Sequence, residues 1–230
     1  MGQWIDLAGA GGFALPAWQA VPDGAPRAAL VVLPEIFGVN GHIRAVADRL
    51  AARGYLALAP DMFARLRPGV DLGYAPDDVQ QGRELKAAAM ALPAPGVLAD
   101  VQAAIDCAGS GGLPVGLVGF CWGGLLAWQA VCALDGLRAA VCYYGGGMTG
   151  AQEAARQPRV PVLAHFGRSD ASIPLADAQA FARAQPGVEV CLYDAGHGFN
   201  CDLRASYDES AAMAARDRTL AFFDRNLQKA

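Results

Sequence analysis

The chain has 230 residues, of which 54% are hydrophobic and 17% charged, and its formal net charge is −4. This composition excludes a disordered chain, and the net negative charge gives no electrostatic reason to expect nucleic acid or an anionic membrane as a partner. The length permits one large domain or two small ones, so the division into domains has to come from the order of the predicted elements.

The N-terminal segment and the apolar runs predict where the protein resides. Residues 1–16 lack a basic stretch followed by a continuous apolar one, so we expect no signal peptide. Apolar runs such as AALVVLP are far shorter than the ~18 residues that indicate a membrane helix. We therefore predict a cytoplasmic protein with no membrane partner. The six cysteines show no CxxC pair and no zinc-site spacing, and we expect free thiols.

Strands and helices are predicted to alternate along the chain. Compact apolar runs predict strands at 28–34, 55–60, 113–120, 137–145, 160–167 and 188–194. Helical spacing of apolar residues predicts helices at 41–54, 77–92, 96–109, 121–136, 175–185 and 207–227.

The segment from 61 to 76 contains Gly and Pro without clear periodicity, and we expect a long loop that could cover a site. No linker, repeat or composition shift divides the chain. Alternating strands and helices favour a parallel sheet with right-handed crossovers. We therefore predict one α/β domain over residues 1–230, with a mostly parallel central sheet and helices on both faces.

Cys121 lies in the pentapeptide GFCWG, between a predicted strand and a predicted helix. A strand, a G-x-nucleophile-x-G sequence and a helix form a nucleophile elbow, in which small neighbours permit a strained turn that projects one side chain. The start of a helix also favours a thiolate, because unpaired amides and the macrodipole lie there. The alternative is a buried thiol in a sharp turn. The setting on both sides favours a nucleophile.

Three histidines are candidates for the base of an elbow hydrolase, whose chain order is nucleophile, acid, histidine. His42 precedes the elbow at the start of a predicted helix, so we expect a surface or capping role. His165 lies inside an apolar strand, which favours a hydrogen-bonded histidine in the core or at its rim. His197 follows a late strand in the loop AGHGFN. We predict that His197 is the base, with an exposed loop histidine as the alternative.

The acid of such a site is expected in a loop after a strand that follows the elbow. Asp170 meets this condition, because FGRSDASIP comes directly after the predicted strand 160–167. A turn or helix-cap aspartate is the alternative interpretation. Asp194 is closer to His197 in the sequence, but it lies at the end of a strand and is the second candidate.

The chain resembles the dienelactone hydrolase family, whose members are α/β-hydrolases and cysteine-based carboxymethylenebutenolidases. The matching segments, in chain order, are PEIFG (34–38), GYLALAPDMF (54–63), GLVGFCWGG (116–124), YYGGG (143–147), HFGRSDASIP (165–174) and YDAGHGFN (193–200). The resemblance covers nearly the whole chain and implies the α/β-hydrolase fold. It also implies that Cys121 is the nucleophile, that His197 is the general base and that Asp170 orients the imidazole.

The same resemblance implies roles for residues at the start of the matching segment EIFG. Glu35 corresponds to a glutamate that lies near the thiol and takes part in its activation, whereas a loop or helix-terminus carboxylate is the alternative. The backbone amides of Ile36 and Trp122 are the expected oxyanion donors, since elbow enzymes use the residue after the nucleophile and an early strand-to-helix loop.

Substrate recognition is expected to involve arginine, because the family holds a carboxylate-bearing lactone. Arg83 resembles one family arginine, although a solvated helix arginine is an alternative. The second arginine should follow His197 closely, but the chain reads GHGFNCD there, with Cys201 near that place and Arg204 slightly later. Three aromatic residues either line a small apolar pocket or belong to the core, namely Phe37, Trp122 and Tyr144.

These residues together predict cysteine-dependent hydrolysis of a small ester or lactone, foremost a carboxylate-bearing enol lactone, through an acyl-enzyme. No metal or organic cofactor is expected to be required. One alternative is a broad-specificity esterase or thioesterase with the same triad, and another is a non-catalytic, redox-responsive thiol protein. The expected partner is a small-molecule substrate, and the oligomeric state stays open, with a monomer as one plausible form.

Overall fold

The computed structural model describes residues 2–94 and 96–228, and within them eight strands form one sheet. The strands are β1 (Gln3–Ala8), β2 (Ala14–Ala20), β3 (Ala28–Leu33), β4 (Tyr55–Pro60), β5 (Val115–Phe120), β6 (Leu137–Tyr143), β7 (Val162–Gly167) and β8 (Val188–Tyr193). Their order across the sheet is β1-β2-β4-β3-β5-β6-β7-β8. Strands β3 to β8 pair in parallel, which confirms the mostly parallel sheet.

Helices connect and cover the parallel strands. They are α1 (Gly41–Ala51), α2 (Pro76–Met90), α3 (Gly96–Gly109), α4 (Trp122–Ala133), α5 (Ala151–Ala154), α6 (Leu175–Ala184) and α7 (Glu209–Asn226). The chain moves one way along the sheet from β3 to β4 and the other way from β4 to β5. Right-handed crossovers therefore place α1 and α3 on opposite faces. No helix in the described part of the chain is long and apolar enough to cross a membrane.

The central strands are buried along their whole length, which explains why they stand out as apolar runs. Every residue of β3, β5 and β7 is buried. Strands of a parallel sheet with helices on both faces contact side chains on each side, so they show no polar alternation. The core accordingly lies in two layers, one on each face of the sheet.

Strands β1 and β2 differ from the sequence prediction, which assigned no strand before residue 28. They form an antiparallel edge, with β2 pairing antiparallel to β4. Their burial is interrupted, since only Leu7 of β1 is buried and β2 alternates between buried and more exposed residues. A half-exposed edge strand lacks the continuous apolar run by which the buried strands were recognised.

The loop before α2 has the irregular structure that its sequence predicts, and it is anchored by a buried aspartate. Asp61 accepts hydrogen bonds from the backbone amides of Phe63 (3.1 Å) and Gly69 (2.8 Å). Elsewhere the predicted boundaries shift by a few residues. The helix predicted at 121–136 runs from Trp122 to Ala133, because Leu134 is already in an extended conformation.

Candidate active site

The predicted catalytic side chains all follow the carboxyl ends of parallel strands. Glu35 comes two residues after β3, Cys121 directly after β5, Asp170 three residues after β7 and His197 four residues after β8. Because these strands are parallel, their carboxyl ends meet at one edge of the sheet, where α/β proteins bind ligands. The loop that carries His197 reaches from β8 back to β5.

Cys121 occupies a strained turn between β5 and α4. Its φ is 52° and its ψ is −111°, which is uncommon for a residue other than glycine. The turn depends on two glycines: a Cβ on Gly119 would lie 1.9 Å from the carbonyl oxygen of Gly123, and a Cβ on Gly123 would lie 2.3 Å from that of Leu33. This is the geometry of a nucleophile elbow, and Cys121 is partly exposed within it.

Cys121, His197 and Asp170 are in contact. His197 Nε2 lies 3.2 Å from Cys121 Sγ, and His197 Nδ1 lies 2.8 Å from Asp170 Oδ2. Asp170 is also an Asx-turn residue, because its Oδ1 accepts hydrogen bonds from the backbone amides of Ser172 and Ile173. The two interpretations of Asp170 are therefore compatible, since one oxygen holds the loop and the other holds the imidazole.

The environment of His197 favours its protonated form. Burial lowers the pKa of His197, but hydrogen bonds with Asp170 and Cys121 and the charges of these two groups outweigh burial and raise the pKa to about 10. A protonated imidazole beside a thiol sulfur is the arrangement that activates cysteine nucleophiles.

The other acid and histidine candidates lie away from this contact. The side chain of Asp194 is 93% exposed and pairs with Arg168. His165 is fully buried, 3.0 Å from Thr219 and 2.9 Å from the hydroxyl of Tyr193, which confirms the hydrogen-bonded core histidine.

The expected surface or capping role of His42 is wrong. The residue is only 1% exposed, because α1 packs its first turn against the rest of the molecule. The capping side chain of α1 is Asn40, whose oxygen accepts a hydrogen bond from the backbone amide of Ile43. Burial lowers the pKa of His42 from its usual value, so the ring favours the neutral form.

Glu35 is paired with Arg204, a contact that the sequence analysis did not anticipate. Arg204 Nη1 donates a hydrogen bond of 2.9 Å to Glu35 Oε1, and the Glu35 side chain is 1% exposed. Glu35 Oε2 is buried without a hydrogen-bond partner among the described residues. A short turn, in which the Arg204 amide donates to the Cys201 carbonyl, returns Arg204 to the site. Sequence spacing alone gave no signal for this turn.

The two expected oxyanion amides follow neighbouring strands. Leu33 of β3 pairs with Gly119 of β5, and the amide of Gly123 donates to the Pro34 carbonyl at 3.0 Å, which ties the two turns together. Within residues 2–94 and 96–228, the amides of Ile36 and Trp122 donate no hydrogen bond to the protein. Both amides are therefore donors that the described residues leave unused at this edge of the sheet.

The predicted substrate-binding residues are found in different surroundings. Arg83 is exposed on α2, next to Gly82, at which α2 packs against the backbone of Ile36. Tyr144 is fully buried, its ring lies edge-on to that of His197 with centroids 5.2 Å apart, and its hydroxyl has no hydrogen-bond partner in the described part of the chain.

The other two aromatic candidates are buried as well. The Phe37 ring lies under the Arg204 guanidinium, at 5.6 Å from its centroid to Cζ. Trp122 stacks on Phe63 with centroids 4.9 Å apart, which is a core contact. Of this pair, Phe37 is therefore the one that lies against a charged group of the site.

Comparison with known proteins identifies the family. The family model "Dienelactone hydrolase family" matches residues 15–227. A carboxymethylenebutenolidase of Pseudomonas putida is 35% identical over 209 residues, covering 87% of each chain. A "Putative carboxymethylenebutenolidase" of Synechocystis sp. is 35% identical over 218 residues, covering 86% of each chain. A crystal structure named "Putative Dienelactone Hydrolase", from Klebsiella pneumoniae, is 31% identical over 98% of each chain, with a TM-score of 0.83. The chain therefore belongs to the dienelactone hydrolase family and is a hydrolase with the α/β-hydrolase fold.

Proposed function

We propose that the protein hydrolyses a small ester or lactone with Cys121 as the nucleophile, and that its substrate is an enol lactone bearing a carboxylate. The observation that carries this proposal is the 3.2 Å contact between His197 Nε2 and Cys121 Sγ, with Asp170 on the other ring nitrogen. The names of the relatives, "Carboxymethylenebutenolidase" and "Putative carboxymethylenebutenolidase", support the same class of substrate.

In the first half of the reaction the Cys121 sulfur attacks the carbonyl carbon, and the bond from that carbon to the ring or ester oxygen breaks. His197 gives its Nε2 proton to the leaving oxygen, while Asp170 holds the Nδ1 proton and stabilises the charged ring. An enolate is a good leaving group, so it needs less acid assistance than an amine. The product of this half is a thioester on Cys121.

In the second half, water attacks the thioester carbon and His197 accepts a proton from that water. The carbon–sulfur bond breaks, the carboxylic acid leaves, and the Cys121 thiolate and the protonated His197 with which the reaction began are restored. In both halves negative charge develops on the carbonyl oxygen, which the amides of Ile36 and Trp122 would bind. One such donor typically lowers the barrier by about 3–4 kcal/mol.

A carboxylate on the substrate would be attracted by the arginine at this edge. Arg204 lies at this edge of the sheet, where it pairs with Glu35. A substrate carboxylate that replaces Glu35 at Arg204 would release the glutamate toward the thiol. Glu35 would then be the group that completes activation of Cys121 when substrate is present. Arg83, exposed on α2, would provide a second cation.

Acylation measurements test the proposed nucleophile. Wild-type protein mixed with an enol lactone bearing a carboxylate should form one thioester per chain at Cys121, and Cys121→Ala should form none and lose roughly 10³-fold or more in kcat. The matched control is Cys107→Ala, which removes a partly exposed thiol on α3 and should leave both measurements unchanged. Turnover by Cys121→Ala at the wild-type rate would contradict the proposal.

The two other candidate functions give different results in the same assays. A broad-specificity esterase or thioesterase would hydrolyse neutral aryl esters as fast as the anionic lactone, and Arg83→Ala would then affect neither. Under our proposal Arg83→Ala lowers kcat/KM about tenfold for the anionic substrate only, which is the ~1.4 kcal/mol of one exposed charged contact. A redox-responsive protein would oxidise at Cys121 and turn over no ester.

A further inference from the structure

A group of three side chains whose types can bind a metal ion lies beside the candidate active site and takes no part in the proposed reaction. It consists of His42 in the first turn of α1 and Cys201 and Asp202 in the loop after β8. One ligand atom from each residue lies within 4.8 Å of the other two. His42 and Cys201 are buried and Asp202 is exposed, so an ion can reach the cluster from the carboxylate side.

Only one of the two ring nitrogens of His42 has a hydrogen-bond partner among the described residues. Its Nδ1 lies 3.2 Å from Asp202 Oδ1, whereas its buried Nε2 has no hydrogen-bond partner among the described residues. Nδ1 is therefore the ring nitrogen that faces Asp202 and could bind a cation, whereas Nε2, on the other side of Cε1, points away from the carboxylate and is not a ligand.

The three side chains suit one class of ion. A thiolate, an imidazole and a carboxylate form the mixed donor set that Zn²⁺ accepts, and three protein ligands leave a fourth tetrahedral position for water. Zinc–ligand bonds of about 2.0–2.3 Å place tetrahedral ligand atoms roughly 3.3–3.8 Å apart, so closing a 4.8 Å cluster requires a shift of about 1 Å. We propose that His42, Cys201 and Asp202 bind a Zn²⁺ ion.

Binding of Zn²⁺ would change the part of the active site that carries Arg204. The Cys201 thiol releases its proton to solvent as the zinc–sulfur bond forms, and its 3.1 Å contact with the Tyr74 hydroxyl is lost. The carbonyl of Cys201 accepts the hydrogen bond of the Arg204 amide, so a shift of Cys201 moves the turn that carries Arg204. The ion is therefore an inhibitor of the hydrolase, and this consequence, unlike binding itself, depends on the proposed function.

Cobalt spectroscopy tests the site without reference to catalysis. The full-length Cys121→Ala protein, freed of metal with a chelator, is titrated with Co²⁺, so that the nucleophile cannot contribute a sulfur ligand. We expect one equivalent to produce a sulfur-to-cobalt charge-transfer band in the near ultraviolet, and one equivalent of Zn²⁺ to abolish it. The band should persist when Cys107→Ala is added and disappear with Cys201→Ala.

The exposed ligand provides a variant that does not risk folding. Asp202→Asn alters a solvent-facing carboxylate, and we expect Co²⁺ affinity to fall roughly tenfold or more. Absence of the band in folded Cys121→Ala protein would overturn the proposal, as would a band that Cys201→Ala leaves intact or an affinity unchanged in Asp202→Asn. If the band appears but Zn²⁺ leaves hydrolysis by the wild-type chain unaffected, the metal site stands and the predicted inhibition is wrong.

Discussion

At the scale of single residues, the ion pair of Glu35 and Arg204 brings two opposite charges into the candidate active site. Glu35 is almost fully buried, and the Arg204 side chain is 20% exposed. Burial lowers the pKa of Arg204, but the nearby charge of Glu35 favours the charged guanidinium and the pKa is raised, so Arg204 keeps its charge. Each charged group is therefore stabilised by the other at a buried position that would disfavour it alone.

Removing one member of this ion pair should destabilise the protein. Arg204→Ala leaves the Glu35 carboxylate buried without its cation, and breaking a buried pair in this way typically costs 3–5 kcal/mol, so we expect a loss of about 3 kcal/mol or more in the free energy of unfolding. Urea denaturation measures this loss in the free energy of unfolding. The control is Arg225→Ala, because Arg225 pairs with Glu189 and both side chains are 56% exposed. That exposed pair should contribute about 1 kcal/mol or less. Equal losses in the two variants would contradict the argument.

At the scale of elements, the elbow between β5 and α4 depends on close backbone approach. A Cβ on Gly119 would meet the Gly123 carbonyl, and backbone cannot rotate away as a flexible side chain can. We expect Gly119→Ala to destabilise the protein by about 2–3 kcal/mol, as overpacking does, and to lower kcat because Cys121 moves. Gly111→Ala is the control, since its Cβ meets no atom within 4 Å. Thermal unfolding measures the stability and the lactone assay measures kcat. A Gly119→Ala protein that is as stable or as active as the wild type would contradict this prediction.

The start of α1 is the second element, and a buried capping side chain ties it to the loop before α2. The Asn40 side chain caps α1 through the Ile43 amide, and its nitrogen also donates to the Leu72 carbonyl and the Tyr74 hydroxyl. Asn40→Ala should therefore cost about 2–3 kcal/mol, because buried partners lose their hydrogen bonds.

The cap of α7 provides a matched comparison for Asn40. Asp208 accepts one hydrogen bond from the amide of Ala211 and caps α7 without a further side-chain hydrogen bond among the described residues. Asp208→Ala should cost about 1 kcal/mol. Chemical denaturation of both variants gives the difference, and a smaller loss for Asn40→Ala than for Asp208→Ala would show that the contacts to the 61–75 loop contribute nothing.

At the scale of the whole molecule, a buried neutral histidine links the core to pH. His165 is fully buried between Thr219 and Tyr193, and burial, together with the charge of Arg218, lowers its pKa from 6.5 to about 3. Between these two pH values the unfolded chain binds a proton at this position that the folded chain does not. The stability that the neutral ring contributes is therefore present above pH 6.5 and is lost as the pH falls toward 3.

The slope of stability against pH measures this effect. One such group contributes about 1.4 kcal/mol per pH unit within the window. Carboxylates add to the acid slope of the wild type, so the comparison is with His165→Asn, in which the histidine contribution is removed and the slope should be smaller by about that amount. Urea denaturation at several pH values between 4 and 6 provides the measurement, and identical slopes in the two proteins would rule out a buried neutral His165.

The sequence by itself determined the parallel α/β architecture, the elbow at Cys121 and the chain order of Cys121, Asp170 and His197. Buried strands are continuous apolar runs, and an elbow needs its glycines at fixed positions, so both leave local patterns in the sequence. The edge strands β1 and β2 left no such pattern, because each is half exposed and their pairing is decided by the partner strand.

Only the tertiary structure decided which charges and donors meet at the sheet edge. Glu35 and Arg204 are 169 residues apart, as the hydrogen bond between them records, and no spacing rule connects them. The same holds for His42, whose position in a predicted helix indicated a surface but whose ring is buried beside Asp202. Contacts between loops that follow different strands depend on how the sheet brings the strand ends together, and a local sequence pattern carries no information about that distance.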